Sequence, residues 1–164
     1  MKTRIPETLE KALSRKKPRV AIVRSRFNEE VTGGLLSGAK GYLAENQIPF
    51  SDESHLFFAP GAYEMPLLAQ ALARSGKFDV VVCLGCVIKG DTAHFEFISL
   101  GTTIGLTQAT LETGVPITFG VLTTYDSDQA RKRSAPDSHN KGIEATAAGV
   151  EAWAELLRIQ ALTH

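Results

Sequence analysis

The chain has 164 residues, of which 43% are hydrophobic and 22% are charged, as expected for one soluble globular domain. Eighteen Lys and Arg residues balance eighteen Asp and Glu residues, so we expect no nucleic-acid partner, which would require a basic surface. No apolar run approaches the roughly 20 residues that span a bilayer, and the N-terminus has no apolar signal region. We therefore expect a cytoplasmic protein with no membrane partner.

Positive charge is concentrated at the start of the chain. The first 26 residues contain only two acidic residues, Glu7 and Glu10. They contain nine basic residues, which are Lys2, Arg4, Lys11, Arg15, Lys16, Lys17, Arg19, Arg24 and Arg26. Residues 1–17 show little hydrophobic periodicity, so we expect an N-terminal arm followed by a single domain over residues 18–164. The arm is either a solvated basic segment or a segment that docks on a neighbouring subunit.

Strands and helices are predicted to alternate along the rest of the chain. Apolar runs predict strands at residues 19–23, 50–58, 78–87 and 115–123. Apolar positions at helical spacing predict helices from Glu29, over 62–75, 92–113 and 126–133, and from Asn140 onward. This order predicts an α/β fold, in which a four-stranded parallel sheet has helices on both faces.

The helix that follows the first strand is rich in glycine. It contains Gly33, Gly34, Gly38 and Gly41. Each glycine costs a helix about 1 kcal/mol relative to alanine. Four of them in one helix indicate that another backbone packs closely against it.

Polar and aromatic side chains follow the carboxyl ends of the predicted strands, where open α/β sheets bind their ligands. The residues concerned are Arg26, Phe27 and Asn28 after the first strand; Gly61, Ala62, Tyr63 and Glu64 after the second; Val87, Ile88, Lys89, Gly90, Asp91, Thr92 and His94 after the third; and Thr123, Thr124 and Tyr125 after the fourth, with Arg133 and Lys141 further on. We therefore expect a small-molecule site at this edge.

The residue types at this edge indicate three kinds of contact. Backbone N–H groups and a hydroxyl at Gly90-Asp91-Thr92, together with the guanidinium of Arg133, suit a phosphate group. The rings of Phe27 and Tyr63 suit a flat heterocycle. His94 can exchange protons near neutral pH. The combination predicts a phosphorylated small molecule that meets a planar ring.

Each of these residues also has a structural interpretation. His94 could be a packed, hydrogen-bonded side chain, Arg133 a solvated charge and Phe27 part of the core. The Gly90-Asp91-Thr92 turn matches neither a P-loop nor a dinucleotide-binding glycine pattern. His55, His139 and His164 have no clustered partners, so we expect structural or solvated roles for them.

Cys83 and Cys86 have the spacing of a C-x-x-C motif, but Cys83 lies inside a β-branched run rather than at a helix start. No second cysteine pair could complete a zinc site. We therefore interpret both as small apolar residues in or just after a buried strand, and expect no metal.

Six segments in register resemble 6,7-dimethyl-8-ribityllumazine synthases. They are RFN at 26–28, PGAYEMP at 60–66, GCVIKGDTAHF at 85–95, GVPITFGVLTT at 114–124, Gln129-Ala130 with Arg133, and Asn140-Lys141-Gly142. The resemblance covers roughly residues 18–157. It implies a flavodoxin-like three-layer sandwich and a condensation without a cofactor. The substrates would be 5-amino-6-(D-ribitylamino)uracil and 3,4-dihydroxy-2-butanone 4-phosphate, and the products the lumazine, phosphate and water.

The resemblance also implies a role for each matching residue. Phe27 would stack on the pyrimidine, Asn28 would help to hold the ribityl end, and His94 would move protons. The ring and ribityl chain would be held by Ala62, Tyr63, Glu64, Cys86, Val87 and Ile88. The phosphate would be held by Asp91 and Thr92 with Arg133. Phe119 would belong to a pocket shared between subunits, and Lys141 would lie near the site.

The resemblance further implies a homopentamer with sites between neighbours, and riboflavin synthase as a candidate partner. Family members also form sixty-subunit shells. Here the loop at residues 134–139, with Pro136, replaces the Gly/Lys-rich turn of shell-forming members, which favours a free pentamer. Tyr63 replaces the commoner phenylalanine. Two alternatives stay open from the sequence: a lumazine or riboflavin binder with little turnover, and a flavodoxin-like carrier of flavin mononucleotide.

Overall fold

A computed structural model of the chain describes residues 6–163. Its four strands are β1 (Val20–Ser25), β2 (Leu56–Ala59), β3 (Val80–Ile88) and β4 (Ile117–Thr124). The helices are α1 (Glu7–Arg15), α2 (Glu29–Glu45), α3 (Asp52–His55), α4 (Met65–Arg74), α5 (His94–Thr113), α6 (Ser127–Ser134) and α7 (Lys141–Gln160), followed by a 3-10 turn at Ala161–Thr163. None of these helices is both long and apolar enough to cross a membrane.

The strands form one sheet in the order β2-β1-β3-β4, and every neighbouring pair is parallel. Ile22 of β1 pairs with Leu56 of β2 on one side and with Val82 of β3 on the other. This is the flavodoxin-like order, in which the chain turns back across the sheet after β2. The predicted α/β fold is therefore confirmed.

Two apolar cores lie on opposite faces of this sheet, because successive strand residues point to opposite sides. Val20 and Ile22 join the core that contains α2 and α7, whereas Ala21 and Val23 join the core that contains α4 and α5. β3 is buried on both faces from Val80 to Cys86, as expected for a central parallel strand. The result is three layers, with helices covering both faces of the sheet.

The N-terminal segment contains a helix that the sequence analysis did not predict. Leu9 and Leu13 are one helical turn apart and buried, so α1 places an apolar stripe against α7. Both leucines belong to the same core cluster as Trp153. The interpretation of the arm as solvated is therefore wrong for the face of α1 that carries Leu9 and Leu13. Residues 1–5 lie outside the described part of the chain, and docking of the arm on a neighbour and the domain boundary at residue 18 stay predictions.

The second strand is shorter than predicted. Residues 50–58 were expected to be extended, but Asp52–His55 form a helical turn and β2 starts only at Leu56. Polar residues at 52–54 favour this turn, since they have no apolar alternation to bury. His55 lies between the rings of Phe50 and Phe78, with centroids 5.5 and 5.9 Å away, so its role is structural.

Two of the four glycines of α2, Gly34 and Gly38, allow a close approach of the kind predicted, whereas a Cβ atom on Gly41 would meet nothing within 4 Å. A Cβ atom on Gly34 would collide with the carbonyl oxygen of Ser134 at the end of α6. A Cβ atom on Gly38 would collide with the side chain of Asn140. α2 therefore packs directly against the connection between α6 and α7.

Candidate active site

The turn after β1 is tied to the neighbouring strand by Asn28. This residue has a left-handed backbone, with φ 55° and ψ 54°, which asparagine tolerates better than most residues. Its Nδ2 donates a hydrogen bond of 3.0 Å to the carbonyl oxygen of Cys86 in β3. The ring of Phe27 is 70% exposed and lies over Gly61 of the next turn. The ends of β1, β2 and β3 are thus drawn together.

The turn after β2 presents a second aromatic ring. The N–H of Gly61 donates a 3.0 Å hydrogen bond to Oε2 of Glu64, which closes the turn before α4 begins. Ala62 is buried, whereas Tyr63 is 63% exposed and its ring lies against Gly101 of α5. The bond between Gly61 and the Glu64 side chain therefore fixes the turn and leaves the ring of Tyr63 accessible.

The turn after β3 is bracketed by Lys89. The backbone N–H of Lys89 donates to Thr124 of β4 at 2.9 Å, and its Nζ lies 3.1 Å from a carboxylate oxygen of Glu96. This ion pair lowers the pKa of Glu96. The ammonium also lies over the rings of Phe95 and Tyr125, at 6.0 and 5.7 Å. These contacts hold both ends of the exposed Gly90-Asp91-Thr92 turn.

His94 opens α5 immediately after that turn, and its side chain is exposed. Its backbone N–H lies 3.4 Å from the hydroxyl of Thr92. Within residues 6–163 no side chain forms a hydrogen bond or ion pair with the imidazole ring. The interpretation of His94 as a packed, hydrogen-bonded side chain is therefore wrong. Its ring is exposed and available for proton transfer.

The remaining predicted residues surround a different feature, a cavity of about 380 Å³ between β4 and α7. Phe119, Arg133 and Lys141 all line it, together with Thr124 and Glu144. Arg133 and Lys141 also border a second recess of about 440 Å³ beside the loop before α7. Phe27, Tyr63 and His94 are not among the described residues that line these two cavities.

The candidate site therefore has two parts. The aromatic half consists of the predicted residues at the ends of β1, β2 and β3, which are Phe27, Asn28, Ala62, Tyr63, Glu64, Cys86, Val87, Ile88, Asp91, Thr92 and His94. The basic half consists of Phe119, Arg133 and Lys141. Arg133 donates to the carbonyl oxygen of Gln129 at 3.2 Å, and Lys141 pairs with Glu144 at 2.6 Å.

The two cysteines are free thiols within β3. Burial raises the pKa of Cys83 to about 12 and that of Cys86 to about 11. Both side chains therefore stay protonated near neutral pH, which removes thiolate chemistry. Their interpretation as small buried residues is confirmed, and the contact of Cys86 with the site is made by its backbone.

Comparison with known proteins identifies the family of the chain. The family model described as 6,7-dimethyl-8-ribityllumazine synthase matches residues 17–157. The chain belongs to the 6,7-dimethyl-8-ribityllumazine synthase family. A "6,7-dimethyl-8-ribityllumazine synthase 1" from Caulobacter vibrioides is 56% identical over 143 residues, which cover 87% of this chain and 93% of the relative. The lumazine synthase of Chloroherpeton thalassium is 44% identical over 146 residues, or 88% and 93% of the two chains.

Sequence reasoning overlooked two residues that hold the candidate site in place. Glu96 received no role, although its position one helical turn after the Gly90-Asp91-Thr92 turn allows it to hold Lys89. Asn140 was noted only as part of a motif. An asparagine directly before a predicted helix is a known capping signal, and that signal could have drawn attention to it.

Proposed function

We propose that two neighbouring chains build each active site of this lumazine synthase, one with its aromatic half and the other with its basic half. As a member of its family, the chain is a transferase of riboflavin biosynthesis. It condenses 5-amino-6-(D-ribitylamino)uracil with 3,4-dihydroxy-2-butanone 4-phosphate to give 6,7-dimethyl-8-ribityllumazine, phosphate and water. The observation that carries the two-chain site is that Phe119, Arg133 and Lys141 line one cavity whose lining does not include Phe27, Tyr63 or His94.

The aromatic half binds the pyrimidine in this proposal. Phe27 stacks on the ring, and the exposed face of Tyr63 adds a second apolar surface. Asn28, Ala62 and Glu64 hold the ribityl chain and the ring edge together with the strand end at Cys86, Val87 and Ile88. The turns support this role, because the bonds from Asn28 to Cys86 and from Gly61 to Glu64 fix them while the rings of Phe27 and Tyr63 face solvent.

The phosphate of the butanone binds between the two halves. The turn at Asp91 and Thr92 supplies backbone N–H groups and a hydroxyl beside the start of α5. Arg133 from the neighbour supplies a bidentate guanidinium, and Lys141 adds a second positive charge close by. The carboxylate of Asp91 would repel a phosphate dianion, so we assign the contact to its backbone.

His94 moves protons during the reaction. The amine of the pyrimidine adds to the ketone, and loss of water gives an imine. Elimination of phosphate follows, and closure of the second ring on the remaining carbonyl carbon releases a second water. Each step transfers protons between nitrogen, carbon and oxygen atoms. An exposed imidazole beside the phosphate turn can serve as both acid and base. The remaining rate enhancement comes from holding two small molecules together.

The assembly that creates these sites is a homopentamer in the cytoplasm. α5 exposes a row of large apolar side chains, which are Phe97, Leu100, Ile104 and Leu111. Exposed apolar patches of this kind mark protein interfaces. Pro136 in the loop before α7 favours a free pentamer over a sixty-subunit shell. Riboflavin synthase, which uses the lumazine, is the expected partner enzyme.

Mixing two inactive variants tests the two-chain site. His94→Gln disables the aromatic half and Arg133→Ala the basic half, so each variant alone should turn over slowly. Random assembly of equal amounts should restore about a quarter of the sites, because that share combines two intact halves in a cyclic oligomer. The readout is lumazine formation after dissociation and joint reassembly, with native mass giving the subunit count.

The control is the double variant His94→Gln/Arg133→Ala, reassembled with either single variant. Such mixtures contain no site with two intact halves and should stay inactive. If the two single variants likewise fail to complement each other while forming mixed oligomers, each site lies within one chain and the proposal is wrong.

A further inference from the structure

Asn140 is a buried polar side chain that contacts three helices at once. It is 1% exposed and immediately precedes α7. Its Oδ1 accepts hydrogen bonds from the N–H groups of Gly142 and Ile143, at 2.8 and 3.4 Å. This half of the amide is an ordinary helix N-cap, which needs only one oxygen.

The other half of the amide makes contacts that capping does not require. Nδ2 donates to the carbonyl oxygens of Ser134 and Ala135, at 3.0 and 2.9 Å, where α6 ends. It also lies 3.1 Å from the carbonyl oxygen of Gly34 in α2. One planar group therefore connects the end of α6, the start of α7 and the middle of α2.

The amide of Asn140 lies between the two helix ends that carry the cations of the basic half. Arg133 directly precedes Ser134, and Lys141 directly follows Asn140. Both cations line the same two cavities. Their separation is therefore set by how the end of α6 is held relative to the start of α7.

We infer that Asn140 is a positioning residue for phosphate binding, which holds Arg133 and Lys141 at the separation that the phosphorylated substrate requires. The inference rests on the proposed role of the basic half. Asn140 itself is buried and does not reach the cavity lining. It acts on substrate only through its two sequence neighbours.

The helix behind Asn140 has no room for the group to shift. A Cβ atom on Gly38 would overlap Oδ1 of Asn140, and one on Gly34 would overlap the backbone of Ser134. Gly142 is equally constrained by the carbonyl oxygen of Leu35. Because backbone meets backbone on this side, a change in α2 should be transmitted to Arg133 and Lys141.

The test compares Asn140→Asp with Gly38→Ala. The aspartate keeps the capping oxygen and the size of the side chain, but it replaces the N–H donors with an oxygen that faces three carbonyl groups. We expect KM for the phosphorylated butanone to rise about tenfold, while kcat and KM for the pyrimidine stay within about twofold. Gly38→Ala pushes on the same group from α2 and should give the same selective change.

Two further variants separate this inference from a purely structural role. Asn46→Asp removes a similar side-chain contact, the 2.9 Å bond from Nδ2 to Tyr42, far from Arg133 in sequence, and should leave both KM values unchanged. In an Arg133→Ala background, Asn140→Asp should add little, because the group that it positions is already absent.

The outcomes are distinguishable. If Arg133→Ala raises KM for the butanone but Asn140→Asp and Gly38→Ala only lower thermal stability, the inference is overturned and the role of Arg133 stands. If Arg133→Ala leaves that KM unchanged, both the phosphate role and the inference fail. Should Asn140→Asp not fold, the selective KM change of Gly38→Ala decides.

Discussion

The aromatic half of the candidate site presents the rings of Phe27, Tyr63 and His94 to solvent, whereas the basic half borders a cavity with a buried frame behind it. In the aromatic half, turn side chains hold neighbouring backbone groups: Asn28 donates to the carbonyl oxygen of Cys86, and Glu64 accepts from the N–H of Gly61. In the basic half a buried side chain, Asn140, fixes the ends of two helices.

This difference indicates how each half can be altered. The exposed rings of the aromatic half, those of Phe27, Tyr63 and His94, should tolerate substitution without loss of stability, because the frame that carries them does not depend on them. Residues behind the basic half should affect stability and substrate binding together, because their packing sets the positions of the charges.

The largest effect is expected for His94 in the aromatic half. His94→Gln removes the proton carrier and should lower kcat for lumazine formation about 100-fold or more. The melting temperature should not change, because the side chain is exposed. His55→Gln, at the amino end of β2, is the matched control and should keep full kcat. A His94→Gln enzyme with wild-type kcat would remove this residue from the mechanism.

The second-largest effect is expected for Arg133 in the basic half. Arg133→Ala removes a charged hydrogen-bonding partner and should raise KM for the phosphorylated butanone about 10- to 100-fold. KM for the pyrimidine should change little. Arg131→Ala is the control on the same helix, since Arg131 is exposed and pairs with Asp128 at 2.9 Å. Equal increases for both substrates would contradict a phosphate-specific role.

A smaller effect is expected when the frame of the aromatic half is changed. Asn28→Ala loses the bond to Cys86 and leaves at φ 55° a residue that tolerates this left-handed backbone less well than asparagine, so the free energy of unfolding should fall by about 2 kcal/mol. Asn28→Gly loses the same bond but removes the Cβ atom from the left-handed backbone, so the free energy of unfolding should fall by about half as much. Urea denaturation measures both, and equal losses would show that the backbone angle is not strained.

The smallest effect is expected at the cysteines. Because burial raises the pKa of Cys86 from 9.0 to about 11, its reactive thiolate at pH 8 is about 100-fold scarcer in the folded than in the unfolded chain. Iodoacetamide at pH 8 should therefore leave the native protein unlabelled and active. In urea both thiols should become exposed and react. Mass spectrometry gives the count, and fast native labelling would contradict the burial.

The sheet and the position of the candidate site at one edge could be predicted from the sequence, because parallel strands and their following turns leave local signals. β3 is a continuous apolar run, and the Gly90-Asp91-Thr92 turn and His94 follow it directly. α1 was missed because its basic residues obscured the pair Leu9 and Leu13, whose pattern has meaning only once α7 is present.

The structural basis of the basic half could not be predicted from local signals. Gly34 and Asn140 are 106 residues apart, and their contact is a tertiary hydrogen bond. The sequence indicated a close approach to α2 through its glycines, but it did not identify what approaches. Likewise, the grouping of Phe119, Arg133 and Lys141 around one cavity depends on how α7 packs across β4.

The packing of α1 has a practical consequence for spectroscopy. Trp153 is the only tryptophan in the sequence and is buried in the cluster that contains Leu9 and Leu13. Its emission should therefore shift to longer wavelength when α1 detaches, while the far-ultraviolet dichroism of the sheet and the other helices persists. An unlabelled sample thus has a built-in optical signal for the attachment of its N-terminal helix.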